Sequence, residues 1–176
     1  MQNKKIKNYQ IFSAVFVAIL GTILHFAFEW TGKNFVVGAV SAVNESTWEH
    51  LKLLYFPMLI TTLLGYFYFG NDIKNFLCSK TIGILIAMLF TAVIFYTYTG
   101  ILGTNYAIIN ILIFYIAVVC GEYVAYRKIL ADFACNKSVA LFVLILLLIC
   151  FVKFTYDTPE IGLFKDPVSN GYGIVE

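Results

Sequence analysis

Residues 44–52 read Asn-Glu-Ser-Thr-Trp-Glu-His-Leu-Lys, so two carboxylates, an imidazole, an ammonium and an indole stand within nine consecutive positions. The chain around them is 61% hydrophobic and only 12% charged. A charge at the centre of a membrane-spanning helix costs roughly 2.5–3.5 kcal/mol on insertion scales, so such groups face a bundle interior or an aqueous cavity and mark ion, proton or ligand sites. Carboxylate oxygens and imidazole nitrogens are also the donors that hold divalent cations. Asn44, Glu45, Trp48, Glu49, His50 and Lys52 are therefore candidate ligand-binding residues, and Glu122, a second acid in an apolar run, joins them. Candidate metal ligands are His25, Glu29, Glu45, Glu49 and His50, because His25/Glu29 repeats the i, i+4 spacing of Glu45/Glu49. On a continuous helix Glu45, Trp48, Glu49 and Lys52 share a face, and His50 points about 100° away from Glu49.

A plainer reading accounts for part of the motif. Ser46-Thr-Trp-Glu49 fits a capping box, with Ser46 as N-cap and Glu49 reaching back to a backbone amide. Acids near a helix start complement its dipole, Glu49 can pair with Lys52 at i, i+3, and Trp48 can anchor at a membrane interface. Glu45, His50, His25 and Glu29 stay unexplained by that reading. Elsewhere, Glu122 can snorkel or pair with Arg127, Lys153 and Asp157 form an i, i+4 ion pair, and Asn110 can bond between helices. Sharp catalytic signatures are absent: there is no HExxH, di-iron Glu-x-x-His pair, GxSxG, P-loop or GxGxxG. No catalytic residue is assigned.

The elements that must position these groups are apolar runs at about 9–30, 50–70, 81–99, 105–126 and 138–156, each sufficient for a hydrocarbon core ~30 Å thick. Continuous rather than alternating hydrophobicity predicts helices, giving an all-α polytopic membrane bundle of about five transmembrane helices. The run from Tyr9 to Trp30 is too long for a signal peptide and is read as a retained first helix. Gly21, Gly65 and Gly83 allow close helix approach, and Pro57 interrupts the second span. Phe35–Val43 is apolar but too short to cross, which fits a re-entrant or interfacial segment. Residues 1–156 form a single transmembrane domain. Residues 157–176, with two prolines and three glycines, form an extracytoplasmic tail that straps or covers the bundle.

With the N-terminus inside, eight basic residues face the cytoplasm and four face out, so the C-terminus lies outside a multi-pass cell membrane. That topology gathers His25, Glu29, residues 44–52, Tyr96, Tyr98, Asn105, Tyr106, Lys153, Asp157, Glu160 and Asp166 at the outer end. A net charge of +2 gives no reason to expect nucleic acid. The lipid bilayer is the implied partner, and a protein partner or a homo-oligomer stays open. Cys78, Cys120, Cys135 and Cys150 lack metal spacing, and Cys78 and Cys135 fall in inner loops, so all four are expected as free thiols.

The string Asn44-Glu45-Ser46-Thr47-Trp48-Glu49-His50-Leu51-Lys52 resembles the signature of a family of small bacterial integral membrane proteins of unknown function. Gly162-Leu163-Phe164-Lys165-Asp166-Pro167 and Gly171-Tyr172-Gly173 resemble that family's ending, with Gly162 where proline is expected and Thr158-Pro159 in place of a double proline. The resemblance covers nearly the whole chain and implies a multi-span inner-membrane protein; it supplies no reaction or ligand. The residues themselves point to a polar, outward-facing site that binds or moves a cation or small polar ligand, with a divalent metal ion as the candidate cofactor. A membrane-embedded metal-dependent hydrolase and a structural or partner-binding subunit are the alternatives.

Overall fold

The computed structural model describes residues 2–131 and 133–174. Among them, six α-helices follow in order: α1 Gln2–Trp30, α2 Phe35–Gly38, α3 Thr47–Phe69, α4 Phe76–Leu102, α5 Ala107–Leu130 and α6 Lys137–Tyr156. All but α2 are long and apolar enough to cross a membrane. The helices exceed the expected runs chiefly at their polar ends, where hydropathy stops but the backbone continues to bond itself. Lys80 shows the consequence. Expected in an inner segment ahead of the third span, it lies inside α4 and is fully buried.

The middle of the bundle is α3. Its most hydrophobic 18-residue stretch is 61% buried, against 22% for those of α1 and α6. Leu54, Tyr55 and Met58 are wholly inaccessible and pack with Val17 of α1, Ile84 of α4, Val118 of α5 and Phe151 of α6. Because lipid tails are as apolar as leucine, burial alone does not drive this association; close packing and interhelical hydrogen bonds do. Pro57 removes the amide that would bond the Leu53 carbonyl. That carbonyl lies against α1 at Gly21, where a Cβ would stand 2.6 Å from the oxygen. Gly21 is thus the residue that lets α1 close over the carbonyl that Pro57 leaves unbonded.

The most extensive helix pair is α4 on α5. A Cβ at Gly83 would lie 2.6 Å from the Gly121 carbonyl oxygen, and one at Gly121 would lie 2.7 Å from that of Gly83. Ala87 and Ala125, one turn further on each helix, are completely buried in the same seam. The two helices therefore meet through reciprocal small-xxx-small faces.

Residues 35–43 form no half-helix pair. Asn34 caps the four-residue α2 through bonds to the amides of Val36 and Val37, and the chain then folds inward until Ala42 and Val43 are buried. After α6, a 3₁₀ turn at Gly162–Phe164 and an isolated Lys165–Tyr172 bridge lay the tail across the same end. At the opposite end, Cys78 of α4 and Cys135, just ahead of α6, form a disulfide with Cα atoms 5.9 Å apart. This corrects the expectation of four free thiols. A partner 57 residues away leaves no local spacing signal; only the packing of α4 with α6 brings the two sulfurs together. Cys120 and Cys150 are free.

Candidate functional site

Residues 44–52 do not form one helical face. Ser46 is the N-cap of α3, its hydroxyl accepting from the Glu49 amide at 3.3 Å, so Glu45 lies outside the helix and is aimed separately from Glu49. The shared face expected for Glu45, Trp48, Glu49 and Lys52 is corrected by that cap. The motif divides into three parts with different partners.

The first part meets a neighbouring helix. The Nε2 atom of His50 lies 3.4 Å from Glu45 Oε2, and that of His25, on α1, lies 4.0 Å from Glu45 Oε1. The imidazole rings are 5.2 Å apart between centroids. One ligand atom from each of the three residues falls within 4.8 Å of the others. The Nδ1 atom of His50 is 2.9 Å from the Ser46 carbonyl, an acceptor that requires the proton on Nδ1 and leaves Nε2 as the ring nitrogen that faces Glu45. A second hydrogen bond of this kind fixes the tautomer in ligating histidines. Glu45 is about half exposed, whereas both histidines are partly buried. Glu29 is exposed and stands outside this cluster, as does Glu49.

The second part is a buried ion pair. Lys52 is fully buried and spends its three N–H bonds on Glu49 Oε2 at 2.5 Å, the Gly38 carbonyl at 2.8 Å and Thr155 Oγ1 at 2.9 Å. Glu49 also accepts from the Val43 amide at 3.0 Å, and its Oε1 lies 3.3 Å from the Thr155 hydroxyl. The reach back expected of a capping box is made to Val43 rather than to the N-cap amide, which bonds Asn44 Oδ1 instead. With its donors and acceptors matched, this network joins α3, the 38–43 segment and α6 and has no donor left over for a ligand.

The third part holds the tail. Asn44 Nδ2 donates to the Gly173 carbonyl at 2.7 Å. Trp48, expected as an interfacial anchor, is 8% exposed and packs among Phe151, Phe154 and Phe164. Asp166 is buried, folding the following turn through the Val168 amide and the Ser169 hydroxyl. Lys153 and Asp157 form the expected exposed ion pair at 3.5 Å.

Beside the histidine cluster lies a cavity of about 350 Å³ between α1, α3, α4 and α5. His25, Glu45 and His50 line its polar end, and Pro167 and Val168 of the tail contribute to the wall. Leu53, Phe95, Ile113 and Phe114 make it predominantly apolar. Asn110 also lines it and accepts a hydrogen bond from the Tyr98 hydroxyl, tying α4 to α5. Its size and its few convergent polar groups are those of a small-molecule site.

Glu122 belongs elsewhere. Instead of snorkelling toward Arg127, it is 3% exposed and accepts from Lys80 Nζ at 2.6 and 2.8 Å. Ser13 donates to Glu122 at 2.7 Å, and Gln10 Oε1 accepts from Lys80 at 3.3 Å. Arg127 bonds the Tyr123 hydroxyl. Sequence reasoning missed this pair by placing Lys80 outside a span. The usable signal was a lone acid and a lone base at the same end of antiparallel helices.

No curated protein and no solved structure matches the chain. Residues 1–174 match the family of unknown function DUF6512. With five helices apolar enough to span a membrane, the central one containing Pro57 and starting within the polar motif, the chain belongs to that family.

Proposed function

We propose that this is a multi-pass membrane protein that binds a divalent transition-metal cation through His25, Glu45 and His50, at the polar end of its cavity. The observation that carries the reading is the convergence of two imidazoles and a carboxylate from different elements, with His50 oriented by the Ser46 carbonyl. Nitrogen-rich donors favour zinc-like cations over magnesium or calcium, which prefer oxygen. The tail from Asp157 onward is a cover for this site, supported by Pro167 and Val168 in the cavity wall. A second reading, a metal-dependent hydrolase, is favoured by one feature: the three candidate ligands line a cavity, and a cation held by only three protein ligands would keep a position open for water or substrate, as in catalytic zinc sites.

Titration of purified, metal-stripped protein with Zn²⁺, and with Co²⁺ as a spectroscopic probe, tests the site. One equivalent should bind. Loss of a mere orienting contact weakens metal sites about 10–100-fold, so His25→Ala, Glu45→Ala and His50→Ala should each lose at least that much. Glu29→Ala should bind as wild type does. Absence of stoichiometric metal, or equal affinity in all four variants, would reject the site.

The proposed orientation puts the N-terminus inside and the site outside, supported by a seven-to-three distribution of the basic residues other than the buried Lys80 and Lys52. Cys78 and Cys135 then face a reducing compartment. Alkylation of freshly lysed cells should find both as free thiols that oxidise to the disulfide on isolation. A bond already present in the cells would reverse the topology.

A further inference from the structure

The cavity has a buried inner wall and a thinner outer wall made by α1 and α5. Leu53 and Thr91, on its inner wall, are 4% and 8% exposed. On the opposite side, Phe26 of α1 and Ile111 and Tyr115 of α5 also line it, yet are 46%, 54% and 39% exposed. These three lie within candidate membrane spans, so their exposed faces meet hydrocarbon rather than water. Thr22 and Tyr115, whose hydroxyls are 3.1 Å apart, bridge α1 and α5 at this rim. Gly21 lets α1 approach α5 closely on this side: a Cβ there would stand 2.6 Å from the Phe114 ring. Only this wall therefore stands between an apolar chamber and the acyl layer, while the chamber's polar end holds His25, Glu45 and His50.

We infer that the cavity takes one acyl chain of a membrane lipid, with the lipid's polar headgroup at His25, Glu45 and His50. Amphipathy selects this occupant. A small polar solute gains nothing from walls of Leu53, Phe95, Ile113 and Phe114, and a hydrocarbon alone makes no use of the polar end where His25, Glu45 and His50 stand. A lipid matches both ends and needs no passage through water. The headgroup assignment rests on the metal reading above; the acyl-chain assignment rests on the cavity alone.

Wild-type protein reconstituted in phosphatidylethanolamine–phosphatidylglycerol vesicles, doped with phosphatidylglycerol carrying a diazirine in its acyl chain, provides the test. After irradiation and digestion, mass spectrometry should find adducts on Leu53 and Thr91, which surrounding bilayer lipid cannot touch, as well as on exposed Phe142 and Leu146 of α6. Ile113→Trp, which fills the chamber, should lose the interior adducts and keep those on α6. Adducts confined to exposed residues in wild type would overturn the inference, whether or not the tryptophan variant folds. So would equal labelling of Leu53 and Thr91 by a water-soluble diazirine, because the chamber would then be aqueous. Metal content read on the same samples separates the two proposals: zinc-loaded protein without interior adducts rejects only the lipid. Interior adducts in a protein that binds no zinc reject only the metal.

Discussion

Replacing Lys80 with alanine is expected to destabilise the protein by about 3–5 kcal/mol, the range for removing one partner of a buried ion pair. The reason is the charge left behind. Glu122 is 3% exposed and receives two of its hydrogen bonds from Lys80, so without the ammonium its buried carboxylate keeps only the Ser13 hydroxyl. Glu122→Ala should cost a similar amount, stranding Lys80 against Ser13 and Gln10. The double variant Lys80→Met/Glu122→Leu should be markedly more stable than either single one, because a matched apolar pair costs no desolvation. Reversible unfolding in mixed micelles measures all three. If the double variant were as unstable as the sum of the singles, the pair would not be an electrostatic unit.

Gly121→Val is expected to separate α4 from α5. Overpacking a well-fitted core typically costs about 1–3 kcal/mol, and this case belongs at or above the upper end. The obstruction is backbone: the new Cβ would sit 2.7 Å from the Gly83 carbonyl oxygen and 2.8 Å from Ala87 Cβ, and neither can swing aside as a flexible side chain would. Gly83→Val should behave alike, meeting the Gly121 carbonyl and Ala125. Gly100→Ala is the control, since nothing lies within 4 Å of its added carbon and it sits in the same α4 helix. The same unfolding assay reads these variants. Equal stability of Gly121→Val and Gly100→Ala would show that the α4–α5 seam tolerates more space than the packing implies.

The two predictions rest on features of unequal visibility in the sequence. Gly83 stood out inside an apolar run as a packing residue, but its reciprocal partner Gly121 lies 38 positions away, and nothing local links them. Lys80 and Glu122 were each visible as charges. Their pairing was not, because hydropathy ended the third span short of Lys80, and the tempting local partner for Glu122 was Arg127. The Cys78–Cys135 bond was hidden for the same reason.

The motif itself divides along that line. The Ser46 cap and the proximity of Glu49 to Lys52 follow from spacings of three residues, which helical geometry fixes without any tertiary contact. The five apolar helices were likewise determined by the sequence, because insertion free energy is a sum over consecutive residues and is read in order along the chain. Tertiary structure alone decided that Glu45 leaves the helix to stand between His25 and His50 while Glu49 turns inward to Lys52 and Thr155. It also decided that a cavity lies beside the first group. A buried charge is tolerated only where another element supplies its counter-charge or hydrogen bonds, and that partner is set by helix packing.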